Sequence, residues 1–154
     1  DMLTAWVGQT PSGPNELRRR ADLRLVANDA TGAVDDYLQA IHLAAHDLSL
    51  VAPLVRAASV GGAVARALMG VDHLLGENPA GVSAWMAMGM LSSLIGDHEQ
   101  TIVGFENAER LGARLGQGAL RTIESARAAQ NVEVSVPETQ AVPDDSLGRA
   151  IDWW

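Results

Sequence analysis

Asn28, Gly62 and Gly96 stand thirty-four residues apart, each between two stretches of helical periodicity. Glycine and asparagine are the residues most at ease with a positive φ. The chain is therefore predicted to make the same tight helix-to-helix turn three times. A helical pair recurring at a fixed period cannot bury its apolar face alone and must stack on its neighbours. The fold class this implies is all-α, built from antiparallel helix hairpins.

Apolar residues at helical spacing place the elements. Leu17, Ala21, Leu25 and Val26 share one face of a first helix opening at Pro14, a favourable first-turn position. Asn28 or Asp29 caps a second, with Ala33, Tyr37, Ala40, Ile41 and Ala44 turned inward. A third helix is expected over about 50–60 and a fourth over about 63–76. Asn78-Pro79 reads as the cap and first residue of a fifth, which runs to Ile95 and stops at Gly96. Asp97 with Gln100 three residues on resembles a capping box for the next, through about Leu111. A further helix, roughly 117–130, follows the glycines at 112, 116 and 118.

The fifth helix carries no charge between Asn78 and Gly96. Its usable length is roughly 15 residues, against about 20 for a bilayer span, so a buried bundle helix is expected instead. After Asn131, "NVEVSVPETQAVP" alternates polar and β-branched residues around two prolines and predicts an extended arm. "DDSLGRAIDWW" would close it as a short helix capped by Asp144.

In the 34-residue frame Ala33 coincides with Ala67, Ala40 with Ala108, and Tyr37 with Val71 and Phe105. Trp85, Gly89, Gly96, Phe105 and Ala108 stand in the third unit where the tetratricopeptide repeat has its Trp, two Gly, aromatic and Ala. The chain thus resembles that family over about residues 14–115, best in the third unit and least in the second. There Val51 and Val55 replace the Trp and Gly, and Pro53 falls within the first helix. Thr101 stands where the third unit would carry Ala. The resemblance implies a right-handed α-solenoid of units at about 14–47, 48–81 and 82–115, with a capping helix at 117–130. Residues 1–130 form the helical domain and 131–154 the arm.

Composition narrows the function. The net charge is −8, lysine is absent and all eleven basic residues are arginine, so nucleic acid and anionic membranes are disfavoured partners. The one basic run, Arg18-Arg19-Arg20 with Arg24, is partly neutralised by Glu16 and Asp22 and reads as a solvated helix face. No cysteine is present, which removes disulfides, thiolate metal sites and a thiol nucleophile. Compartment stays open: cytoplasmic, or periplasmic or secreted if the absent initiator Met reflects signal cleavage.

No enzyme signature emerges. His42 and His46, four apart, would share a helix face and offer two imidazoles to a metal, with Asp47 or Asp72 as a third ligand. Helix-end histidines favoured by the C-terminal dipole are the preferred account of both. Asp97-His98-Glu99, Asp35-Asp36 and Asp144-Asp145 read as capping or solvated groups. Methionines at 69, 86, 88 and 90 read as core or adaptable contact surface. No metal or cofactor is expected.

In the tetratricopeptide family the first helices of the pairs line a concave groove that takes extended or helical peptides. That likeness implies a groove showing Arg18, Asp22 and Leu25, then Ala52, Arg56 and Ser59, then Met86, Met90, Ser93 and Leu94. One family subtype clamps a chaperone's terminal carboxylate. Its positions are held here by Arg18, Asp22, Pro53, Ser83 and Ala87, so only Arg18 suits that role. The expected function is a noncatalytic protein-binding module, a scaffold, adaptor or assembly subunit that takes a peptide or amphipathic helix. Trp153 and Trp154 suggest an arm that folds back onto its own helices or, as the sharper reading, docks on a partner or neighbouring subunit, since interface anchors favour Trp. That leaves an accessory subunit of a larger enzyme or membrane complex as the alternative, and a histidine-based metal protein as a third.

Overall fold

The computed structural model describes residues 13–139, with side-chain detail through Asn131. Among these residues every element is a helix or helical turn, with no strand. The order is α1 Pro14–Val26, α2 Ala30–Leu43, a 3-10 turn Leu48–Leu50, α3 Val51–Val60, α4 Val64–Glu77, α5 Val82–Leu94, α6 His98–Arg110 and α7 Gln117–Thr139.

Counting the 3-10 turn with α3, the first helices of the pairs start at 14, 48 and 82, and the second helices at 30, 64 and 98. The period of 34 read from the sequence is thus the period of the backbone. Its cause is the repeated turn. Asn28, Gly62 and Gly96 sit at φ 65°, 64° and 75°. In each case the next amide donates back to a carbonyl five residues earlier: Asp29 to Arg24 at 2.7 Å, Ala63 to Ala58 at 2.8 Å and Asp97 to Ser92 at 3.0 Å. This left-handed C-cap satisfies carbonyls that the helix end would orphan. Asp29 and Asp97 then serve as N-caps of the following helices, accepting from Gly32 N at 2.9 Å and Gln100 N at 3.1 Å. One residue thereby closes one helix and opens the next. Ala63 fills that place in the middle pair without a side-chain cap.

Each helix packs on its sequence neighbours, and α3 also touches α5, and α2 touches α4. One core cluster runs unbroken from Leu17 on α1 to Leu91 on α5. A second joins Val82, Ala108 and Ala113, and Trp85 and Met86 pack against both. Trp85 also donates its indole N–H to Pro79 O at 2.7 Å, so it pins the link between the second and third pairs. Phe105, 1% exposed, lies under the backbone of Gly89. Thr101 is buried, and its hydroxyl is satisfied by Asp97 O at 2.7 Å.

Three expectations are corrected. First, α5 begins at Val82 with Gly81 as its cap, not at Pro79. The Asn78 side chain accepts from Ala80 N and Gly81 N donates to Asn78 O, so residues 78–81 form a turn. Second, α7 runs to Thr139, past residue 130, where an extended arm was expected to begin. Third, α2 ends at Leu43, so His46 lies beyond it and shares no helix face with His42. The rest of the arm, including the expected terminal helix, lies outside the described residues.

Among the described residues no helix is long and apolar enough to cross a membrane.

Candidate functional site

The expected groove residues come from the first helices of the pairs. At the α1 end, Arg18 donates from Nη1 to Ser49 Oγ at 3.2 Å, reaching from the first pair to the second. Asp22, exposed on α1, accepts the hydroxyl of Tyr37, whose ring is fully buried between α1 and its partner helix. Arg56 on α3 is exposed, with no hydrogen-bond or ion-pair partner among the described residues. These three groups and the Tyr37 hydroxyl form one polar cluster. Burial, then the hydrogen bond and charge of Asp22, push the Tyr37 pKa above its ordinary 10.0, while Arg56 and Arg18 pull it down.

This cluster has a measurable consequence. A tyrosine whose folded-state pKa is raised contributes stability that is fully present below the unfolded value and is lost as pH rises toward the folded one. Stability to urea is therefore expected to fall as pH climbs beyond about 10, and Tyr37→Phe is expected to flatten that part of the profile. Tyr37 is the one tyrosine of the chain, so ultraviolet absorbance reports its ionisation alone. Tyrosinate appearing in the ordinary range while the helices stay intact would refute the assignment.

At the α5 end, the apolar wall is less open than expected. Met86 and Met90 are half-buried and lean on the core, whereas Leu94 is 51% exposed. The structure adds Leu120 on α7, 41% exposed and thirty-four residues beyond Met86. In the same frame Ile123 and Ala126 on α7 are buried at the positions of Gly89 and Ser92 on α5. Trp153 and Trp154 lie outside the described residues.

The arginine run is solvated only in part: Arg19 is exposed, whereas Arg20 and Arg24 turn toward α2. Arg20 grips Asp36 with two bonds, Nε to Oδ2 at 2.9 Å and Nη2 to Oδ1 at 2.8 Å, and Arg24 adds a third at 3.3 Å. Asp36 is 3% exposed, so this carboxylate is a buried ionic tie between α1 and α2 and neither solvated nor a metal ligand. Its hydrogen bonds raise the Arg20 pKa against the opposing effect of burial. The neighbouring Asp35 faces solvent and pairs with Arg66 on α4, at 3.0 and 2.8 Å.

His42 meets Glu77 at 3.6 Å, and Glu77 also pairs with His73 at 2.8 Å. They border a crevice of about 270 Å³ between α2 and α4, floored by Leu38, Gly70 and Leu74. Among the described residues no group of three His, Cys, Asp or Glu side chains is arranged to hold a metal ion.

No protein-family model and no curated protein matches the chain. The repeat is read from the residues and backbone of this chain itself.

Proposed function

We propose that this protein is a tetratricopeptide-like α-solenoid without a catalytic role, a scaffold, adaptor or assembly subunit that binds a peptide or amphipathic helix. The binding face is formed by α1, α3 and α5 and continued by α7. The observation that carries the reading is the 34-residue register, in which the left-handed residues 28, 62 and 96 and the helix starts recur together. Such a register repeats equivalent side chains along one face. Arg18, Asp22 and Arg56 supply polar contacts at one end, and Met86, Met90 and Leu94 supply an adaptable apolar surface at the other.

Met90→Glu tests this, because it places a charge in the apolar half while leaving the rest of the helix unchanged. With the full chain immobilised and partners captured from the source cells, the specific partner is expected to be lost. An affinity fall of at least about tenfold is expected for a charge buried at a contact centre. Far-ultraviolet circular dichroism should show unchanged helicity. Undiminished capture by a folded Met90→Glu chain would refute the placement of the face.

A further inference from the structure

The crevice between α2 and α4 is built from second helices, and the first-helix face does not account for it. It holds about 270 Å³, with an apolar floor beneath a polar rim of Asp35, Gln39, His42, His73 and Glu77. Leu38 lies against the bare backbone of Gly70, where a Cβ would come within 2.4 Å of it. Leu38 and Leu74 are partly buried against the core, so the floor is firmly seated.

Glu77 differs from the other paired carboxylates. Among the described residues Asp35, Asp36 and Glu106 each hold an arginine. Glu77 meets imidazoles instead, His73 Nε2 at 2.8 Å from Oε1 and His42 Nδ1 at 3.6 Å from Oε2. Arg66, also on α4, is committed to Asp35. An imidazole offers one N–H to one oxygen, whereas a guanidinium offers a planar fork to both. His42, His73 and Glu77 are all open to solvent, so the imidazoles can swing aside.

We propose that this crevice takes an arginine side chain from a basic segment of a partner protein, its aliphatic stem on Leu38 and Leu74 and its guanidinium forked on Glu77. Volume and charge choose that occupant. The space is just below the roughly 300–1,000 Å³ of sites that enclose whole small molecules, and it suits one long side chain. Two carboxylates on α2, two on α4 and three on α6 face only Arg66 and Arg110 on the same helices, so a basic segment is drawn to this layer and an acidic one is repelled. Arginine lays its stem on apolar surface while its head stays in water, which matches a leucine floor under a solvated carboxylate. The site lies on the second helices, so it stands apart from the reading of the first-helix face.

The test is a titration of the isotope-labelled full chain with the blocked peptide acetyl-Ala-Arg-Ala-Ala-Arg-Ala-amide, followed by amide resonance shifts. Saturable shifts are expected at residues 38–42 and 70–77. Glu77→Gln is expected to weaken the peptide at least about fivefold, the upper range for a well-formed pair at an exposed site. Glu109→Gln removes the same charge from an exposed position on α6, and is expected to change affinity by less than about twofold because distant surface charges are screened. The amide spectra also verify that both variants are folded. Equal losses in the two variants would reduce the effect to diffuse attraction and overturn the proposal, as would shifts centred on α1, α3 and α5. Free arginine bound as tightly as the peptide would make a small molecule the occupant and overturn it too. None of these outcomes bears on the first-helix face, which the Met90→Glu capture experiment judges separately.

Discussion

Gly104→Ala is expected to cost about 3 kcal/mol of stability, near the upper end for forcing one extra methyl into a packed contact. A Cβ at residue 104 would lie 2.4 Å from Gly89 N, 2.8 Å from Gly89 Cα and 2.8 Å from Trp85 O. All three are backbone atoms of α5, so no rotamer change relieves the clash and the two helices must separate. Gly89→Ala meets the ring of Phe105 at 2.9 Å instead. A ring can shift by a few tenths of an ångström, so the loss there should be smaller. Gly76→Ala, with nothing within 4 Å of its Cβ, serves as the control and is expected to be neutral or slightly stabilising. Denaturant midpoints of the three variants check the order, and a Gly104→Ala loss no larger than that of Gly76→Ala would sink the close-approach account.

Asp36→Ala is expected to lose about 3 kcal/mol, because it leaves the guanidinium of Arg20 in a partly buried site without its counter-charge. The Arg20 side chain is only 17% exposed and the Asp36 side chain 4%, so water cannot replace the lost bonds well. The contrast is Asp35→Ala. Its pair with Arg66 is about half exposed on both sides, and a surface ion pair is worth about 0–1 kcal/mol. The double variant Arg20→Met/Asp36→Leu should recover most of the loss, since a well-packed apolar pair can replace a buried ionic one. If urea unfolding gives equal losses for Asp35→Ala and Asp36→Ala, the buried-tie reading fails.

The two losses come from features that sequence pattern does not reveal. Asp35 and Asp36 are adjacent and chemically identical, yet one faces solvent while the other lies beneath Arg20 and Arg24. Consecutive helix residues point in different directions, so Asp36 turns inward with Ala33, Tyr37 and Ala40, and the arginines that meet it there come from α1. Gly104 belongs to a helix whose periodicity would be unchanged by alanine, so its role is visible only once α5 lies against it. The start of α5 departs from local preference for a related reason. Asn78-Pro79 is good helix-start chemistry, but Pro79 O is taken by the Trp85 indole and Ser83 N donates to Ala45 O. The crossing between two pairs thus uses residues that local preference would assign to the helix.

The proposed face was drawn from the repeat period, which gives Arg18, Asp22, Arg56, Met86, Met90 and Leu94 recurring positions on the first helices. The period does not say how far each reaches water. Met86 and Met90 lean on the core, whereas Leu94 and Leu120 are open to solvent.

What the sequence determined by itself is the backbone's rhythm. Left-handed turns at Asn28, Gly62 and Gly96 and the aspartate caps at 29 and 97 are set by φ preferences and hydrogen bonds within a few residues of each position, so local chemistry suffices. What only the tertiary structure decided is which charge is buried, which glycine is crowded and which methionine is covered. Those depend on atoms that come from helices far apart in the chain, and no local preference encodes the distance between them.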